Sequence, residues 1–372
     1  MSQRLDFVRL AELEGANISE LCRQFQISRK TGYKLLARYH EDGEAGLADR
    51  SRRPHHAPHQ TAPEVVAAVL AVRAAHPAWG GRKIQRWLAR QDLPAPSPST
   101  ITRILHEHGQ LEARPFPAPV SWQRFVADGP NDLWQIDFKG SIPLAQEAVF
   151  PLSVLDDHSR YALGLFACPN QQLTTVCAHL TTLFQQYGLP RRILTDNGPP
   201  WGSSGQDGIT TLEAWWLHLG IRVSHGRFYH PQTQGKVERF HGTLARELLR
   251  DGIAFDRPTC QVVFDRWREM YNQERPHEAL AFAVPVERYA PSPRPWPAAL
   301  MPIVYPPGDA VRQVNAHGVI SFRGRRYFVG RGVAGQPVAV RPTRDEGRLS
   351  VYFCDQPIKL LDLEQPLGVS SP

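Results

Sequence analysis

In LWQIDFKG (residues 133–140) the side chains alternate with the period of two that marks a β-strand. Trp134, Ile136 and Phe138 fall on one face, and Leu133, Gln135 and Asp137 on the other. A carboxylate among such neighbours needs a reason, because a fully buried, unpaired charge is costly. A surface charge on an edge strand is the plain alternative, and the aromatic and aliphatic neighbours of Asp137 speak against it. Two further acids share that unusual setting. ILTDNG (193–198) ends a strand-like apolar run at Asp196, and the helical stretch QGKVERFHGTLARELLR carries Glu238 near its start. Val237, Phe240, Leu244 and Leu248 form the apolar stripe of that helix, and Glu238 stands about 100° of rotation off it.

Three carboxylates brought together repel one another and hold at least one proton near neutral pH. Two divalent cations reverse that balance. Oxygen-only ligands suit Mg²⁺, with Mn²⁺ substituting, and not zinc. Two such ions about 3.5–4 Å apart can activate an attacking oxygen and stabilise a leaving one at phosphorus. Other roles stay open for each acid. Asp196 fits an Asp–Asn–Gly turn, and Glu238 fits a solvated helix face beside Lys236 and Arg239. Asp156 and Asp157 are assigned to a hairpin turn with His158, Ser159 and Arg160.

Five motifs in order, WQIDF, VLDDHSRYALG (154–164), LTDNG with PWG behind it, HPQTQGKVERFHGTL and YNQERPHEAL (271–280), resemble those of insertion-sequence transposases with a retroviral-integrase-type (DDE) catalytic core. The resemblance runs over nearly the whole chain. It implies that Asp137, Asp196 and Glu238 are both catalytic residues and ligands of two Mg²⁺ ions, with Asn197 in support. It also implies a DNA transposase that binds terminal inverted repeats, cleaves a 3′ end with metal-activated water and transfers that end into target DNA. Acting on two double-stranded DNA ends implies a homo-oligomer, at least a dimer. Two departures stand out. The 42 positions from Asp196 to Glu238 exceed the best-known spacing, the excess falling in the Gly/Ser-rich stretch 201–216. The His/Cys zinc module that opens retroviral integrases has no counterpart, the five cysteines being scattered and free of any CxxC pair. Other readings are a DNA-binding regulator without catalysis and a nuclease of the ribonuclease H superfamily.

A chain of 372 residues is too long for one ordinary core. Pro-rich stretches at 49–63, 111–122 and 290–308 divide it into four modules. Residues 1–52 read as a helix-turn-helix domain, with Ile18, Leu21 and Phe25 packing on Ile27, Tyr33, Leu36 and Tyr39. An earlier stripe of Phe7, Leu10 and Leu13 joins them, and Ser28 caps the second helix. Arg29, Lys30 and Lys34 then lie where a recognition helix meets the major groove. Residues 60–112 read as a second helix-turn-helix domain. Its expected caps are Ser99 and Gly109, its core tryptophans Trp79 and Trp87, and its phosphate contacts Arg82, Lys83 and Arg103. Residues 125–290 read as a ribonuclease-H-like α/β integrase core. In it the LWQIDFKG strand is central, AVFPLSVLDDHSRYALGLFAC (148–168) is a hairpin, and Val176, Leu180, Leu183, Phe184 and Tyr187 face inward from a helix over 174–188. His230, Gln232, Lys236 and Arg239 are its candidate DNA contacts, while YNQERPHEAL closes the domain. Residues 303–370 read as a small Src-homology-3-like β-barrel with a basic face of Arg323, Arg325 and Arg326.

Charge follows this division. Lys and Arg outnumber Asp and Glu by 18 to 12 over residues 1–125 and by 9 to 6 over 300–372, whereas residues 126–299 carry 16 against 18. Basic flanks around a mildly acidic centre suit a polyanionic partner. No apolar stretch approaches the ~20 residues that span a bilayer, and MSQRLDFVRL lacks a signal-peptide core. The expected location is therefore the cytoplasm, in association with the nucleoid.

Overall fold

The computed structural model describes residues 2–49, 61–111, 126–144, 146–202, 208–225, 235–249, 256–345 and 347–363. The chain forms two compact units, Met1–Ala62 and Pro63–Pro372. Among the described residues no helix is long and apolar enough to cross a membrane.

The first unit is built from helices α1 (Ser2–Ala11), α2 (Ile18–Gln24) and α3 (Arg29–Asp42). Phe7, Val8, Cys22, Leu35 and Leu47 are its buried centre, ringed by Ile18, Leu21, Phe25, Ile27, Leu36 and Tyr39. The Asn17 side chain caps α2, and the Ser28 hydroxyl accepts from the Thr31 N–H to cap α3 as expected. A Cβ on Gly32 would lie 2.5 Å from Cys22 Sγ, so glycine lets α3 approach α2 and α1 closely. Tyr33, expected in the packing, is 58% exposed, because the inward face of α3 runs through Gly32, Leu35 and Leu36. Leu10 and Leu13 are exposed too, α1 burying Phe7 and Val8 instead.

In the second unit, α4 (Pro63–Ala75), α5 (Gly81–Arg90) and α6 (Pro98–Glu107) enclose Val69, Val72, Trp79, Ile84, Leu88, Ile101, Ile104 and Leu105. Trp79 is fully buried, and Trp87 packs on the edge of this cluster. Ser97, not Ser99, caps α6: its hydroxyl accepts from the Thr100 N–H, and Pro98 takes the first turn, where a missing N–H is harmless. Gly109 follows the capping residue His108 with φ +66°.

The mixed sheet that follows uses β1 (Trp134–Phe138), β2 (Ile142–Pro143), β3 (Ala148–Asp156), β4 (Ala162–Cys168), β5 (Arg192–Thr195) and β6 (Arg222–His225). β1 is interior, antiparallel to β3 and parallel to β5. β4 and β2 pair with β3, and β6 runs parallel to β5. Helices α7 (Leu173–Tyr187) and α8 (Thr211–His218) cover one face, where Trp134, Ile136, Val154, Leu180, Phe184 and Trp216 meet. All five residues expected to face inward from α7 are buried. Helices α9 (Gly235–Glu247) and α10 (Arg257–Gln273) cover the other face through Phe240, Leu244, Phe264, Trp267 and Tyr271. This is a ribonuclease-H-like arrangement.

YNQERPHEAL closes the domain, as its composition implied. The Asn272 amide accepts from the Ala162 N–H and donates to the Ala162 carbonyl, at 2.8 and 3.0 Å. Arg275 pairs with Glu247 at 2.9 Å in a site where both side chains are under a tenth exposed. The same segment receives α5: Arg82 lies 3.7 Å from Glu278, Arg86 stacks over the Phe282 ring, and Arg90 bonds Glu287.

The C-terminal strands β7 (Ala310–Gln313), β8 (Val319–Phe322), β9 (Arg325–Phe328), β10 (Pro337–Pro342), β11 (Arg348–Phe353) and β12 (Gln356–Asp362) do not close into the expected barrel. They form a four-stranded sheet in the order β12-β11-β10-β7 and a separate β8-β9 hairpin. Closure is not needed to cover the apolar face. Ala214 and Leu217 of α8 pack into the same cluster as Val338, Val340, Val351 and Phe353. The join is close: Gly332 N–H donates to the Ile209 carbonyl at 3.1 Å, and a Cβ on Gly332 would sit 2.2 Å from the Thr210 carbonyl carbon. Arg323, Arg325 and Arg326 are exposed, as a basic face requires.

Removing one partner of a buried ion pair strands the other charge, at about 3–5 kcal/mol. Urea unfolding of Arg275→Ala is therefore expected to show a loss of that order, and the apolar pair Arg275→Met with Glu247→Leu a smaller one. Equal losses would show that the charge of Glu247 is not stranded.

Candidate active site

Asp137 occupies the next-to-last position of β1, on the face opposite Trp134 and Ile136. Asp196 follows the last residue of β5, the parallel neighbour of β1, so adjacent strand ends carry two of the acids. Glu238 lies in the first turn of α9, exposed, while Val237 and Phe240 on either side are buried. The proximity of the three is written in the proton affinity of Asp137. Burial and the negative charges of Asp196 and Glu238 push this carboxyl up to about 7, against the opposing hydrogen bond from the Phe138 N–H. Burial also raises Asp196, with the Gly198 N–H at 3.1 Å and the charge of His225 working the other way. That Gly198 contact is the turn that the Asp–Asn–Gly sequence suggests, so the turn and a site role coexist in one residue. Asn197 lies half-buried in the same turn. Among the described residues no group of three or more His, Cys, Asp or Glu side chains is set to hold a metal ion.

Several further residues support this corner, first among them Asp157, whose side chain was expected to serve the hairpin turn and instead binds other segments. Asp157 is fully buried, and its carboxylate accepts from the Ala127 N–H and the Gln135 amide, both at 2.8 Å. It also pairs with the Lys236 ammonium. The Gln135 carbonyl accepts from the Val237 N–H at 3.2 Å, one of the donors a helix start leaves unpaired. β1, the β3–β4 turn and the start of α9 are thus tied together one residue before Glu238 and two before Asp137. Asp156 does serve the turn, accepting from Ser159 N–H and hydroxyl and from the Asn131 N–H. His241, one helical turn beyond Glu238, has Nε2 2.9 Å from the Ser153 hydroxyl and Nδ1 3.7 Å from Asp137 Oδ2. Burial and the charge of Lys139 bring it down to about 4, so at neutral pH it is an uncharged neighbour of Asp137.

The basic candidates divide. Arg29, Lys30 and Lys34 are exposed on the N-terminal half of α3, with Tyr33 among them. Arg239 is exposed on α9, and Arg103 is exposed on α6 with Glu107 at 2.8 Å. Two do not stand free for phosphate as expected. Lys236 is engaged by Asp157, and its burial lowers it to about 8. Lys83 lies against the core near Arg275 and Glu247, where burial and the Arg275 charge likewise lower it to about 8. Arg82 is exposed but faces Glu278. His230 and Gln232 lie outside the described residues.

Comparison with known proteins bears on each part of this architecture. Residues 127–231 and 219–285 match integrase core domain families. Residues 309–366 match the C-terminal domain of IS481 family transposases. Residues 3–55 match a helix-turn-helix domain and 31–105 a homeodomain-like domain. An uncharacterized 31.7 kDa protein of insertion element IS407 from Burkholderia multivorans is 27% identical over 165 residues, covering 44% of this chain and 57% of that protein. An uncharacterized 39.2 kDa protein of IS476 from Xanthomonas euvesicatoria is 26% identical over 248 residues, covering 65% of this chain and 69% of that one. Among solved structures, the HTLV-2 integrase catalytic core domain in complex with magnesium is 18% identical, covering 44% of this chain and 99% of that chain, with a TM-score of 0.34.

The raised Asp137 fixes the sign of a pH effect. From its ordinary value of 3.8 up to about 7, the folded state holds this proton more tightly than the unfolded chain. Metal-free stability therefore falls as pH rises through that window, and the full penalty is present above it. At about 1.4 kcal/mol per tenfold change in proton affinity, the penalty is at most about 4 kcal/mol. Urea unfolding in EDTA at pH 5 and pH 8 is expected to show Asp137→Asn gaining stability over the unaltered protein at both, with the larger gain at pH 8.

Proposed function

Starting from a chain with an integrase-type core, helix-turn-helix modules and a resemblance to insertion-sequence transposases, we propose that it is a DNA transposase whose catalytic acids are Asp137, Asp196 and Glu238. The observation that carries this reading is placement: Asp137 near the end of β1, Asp196 at the end of its parallel neighbour β5, and Glu238 in the first turn of α9, which is hydrogen-bonded to β1 through Gln135. In their chemistry the three acids suit divalent cations, although they are not gathered as a ligand group in this structure: the donors are oxygen-only, and their mutual repulsion is the imbalance that added positive charge relieves. Asp137, Asp196 and Glu238 would hold the ions. Bound there, two Mg²⁺ ions, or Mn²⁺ in their place, would supply activation of the attacking oxygen and stabilisation of the leaving one.

The chain's own residues supply position. Gln135, Asp157 and Lys236 fix the start of α9, which carries Glu238, and neutral His241 adds no charge beside Asp137. Asn197, in the turn that carries Asp196, is the candidate to orient DNA or the attacking water. In the first step, water forms a bond to phosphorus at the element's end and the P–O3′ bond breaks, freeing a 3′ hydroxyl. In the second, that hydroxyl attacks a target phosphodiester and displaces a target 3′ oxygen. No covalent link to the protein is needed. Arg29, Lys30 and Lys34 on α3 read or grip the terminal inverted repeat in double-stranded DNA. Arg103 and Arg239 are the remaining exposed candidates for phosphate contact. Joining two ends to one target calls for a homo-oligomer, at least a dimer.

Incubation with DNA bearing the element's terminal repeat, target DNA and Mg²⁺ is expected to give cut and joined products on a denaturing gel. EDTA and Asp137→Asn should each abolish both. Full-rate cleavage without metal refutes the assignment, and cutting without joining identifies a nuclease. In a separate titration, Arg29→Ala with Lys30→Ala should weaken repeat binding and flatten log K against log salt by about one for each phosphate left unneutralised. An unchanged slope would remove α3 from the interface.

A further inference from the structure

Asp196 is held through its main chain by a residue 29 positions away. β5 and β6 place Thr195 opposite His225 in parallel register, at the point where β5 gives way to Asp196. His225 Nδ1 lies 3.0 Å from the Asp196 carbonyl oxygen and 3.3 Å from the Thr195 hydroxyl. On its other side, Nε2 lies 2.6 Å from Glu213 Oε1. The ring thus bridges the Asp196 main chain and the Glu213 carboxylate. Both side chains are largely withdrawn from solvent, His225 at 28% and Glu213 at 12% exposure.

Glu213 is fixed in turn. Its second oxygen accepts from the Thr210 N–H at 2.6 Å, and its own N–H donates to the Thr210 hydroxyl at 3.2 Å, a closed capping box at the start of α8. α8 has no slack on either side: Leu212 and Trp216 sit in the core of the mixed sheet, and Ala214 and Leu217 in the cluster of the C-terminal sheet. A rigid path therefore runs from the C-terminal strands through α8 to the Asp196 main chain. Merely capping α8 would require Glu213 and Thr210 but not the contact to Asp196.

We propose that His225 and Glu213 are positioning residues for Asp196, fixing its main chain so that its carboxylate stays within reach of Asp137. This rests on Asp196 being a metal ligand. Partners that orient a ligand from behind are worth about 10–100-fold in metal affinity when removed.

The test is Mn²⁺ binding by the full-length protein without DNA, read from loss of the free-Mn²⁺ electron paramagnetic resonance signal, with thermal melting beside it. Asp196→Asn reports on the underlying reading: unchanged binding in this variant refutes Asp196 as a ligand, whatever His225 does. If Asp196→Asn loses Mn²⁺, His225→Ala is expected to bind about 10–100-fold more weakly while still melting cooperatively. Glu213→Gln, which keeps an acceptor for Thr210 and can donate to a singly protonated His225, is expected to bind near the unaltered affinity. Glu213→Ala, which cuts the path at its far end, should weaken binding and carries the test if His225→Ala does not fold. A folded His225→Ala or Glu213→Ala with unaltered Mn²⁺ affinity overturns the proposal, as does a Glu213→Gln variant as weak as Glu213→Ala.

Discussion

The buried carboxylate of Asp157 is the point on which the corner of the candidate acids is assembled. It gathers the Ala127 N–H, the Gln135 amide and the Lys236 ammonium, three donors from separate stretches of chain. A fully buried carboxylate without those donors would be prohibitively costly, so the three segments are committed to one arrangement. The arrangement brings the first turn of α9 to β1, with Gln135 satisfying a helix N–H that would otherwise be orphaned. Structural groups, and not attraction between the acids, therefore set the first turn of α9, whose Glu238 charge is felt at Asp137.

Structural charge and chemical charge are thus separated within a few residues. Asp157 and Lys236 neutralise one another inside the fold, while Asp137 stays uncompensated and is raised to about 7. The same division of labour appears at the edges. The second helical module commits Arg82, Arg86 and Arg90 to the 278–287 segment, and the C-terminal sheet lays its apolar face on α8. Modules that look detachable in sequence are, within the second unit, fastened to the core that carries the acids.

What could be read from sequence was what is decided locally. The alternation of β1, the inward set of α7, the hairpin at 156–160 and the Ser28 cap depend on residues a few positions apart, and all hold. The cap of α6 shifted by two residues because Pro98 takes the first helical turn, a choice between neighbouring serines that periodicity does not weigh. Tyr33 is apolar enough to be assigned inward, yet α3 turns Gly32 to its neighbours instead. Lys236 looked like a phosphate contact, since nothing near it in sequence shows that Asp157, 79 positions away, claims it. His225 and Glu213 gave no signal for the same reason, their meaning arising only where β6 and α8 meet the end of β5. A barrel was expected from strands and Gly turns; the described strands instead form an open sheet and a separate hairpin, and α8, from another part of the chain, packs into the same apolar cluster.

The central claim is that Asp137, Asp196 and Glu238 together bind divalent cations. Anomalous diffraction from crystals soaked in Mn²⁺ tests it most directly. The account predicts occupied Mn²⁺ at the carboxylates of Asp137, Asp196 and Glu238. Occupied Mn²⁺ elsewhere with none at these carboxylates would contradict it.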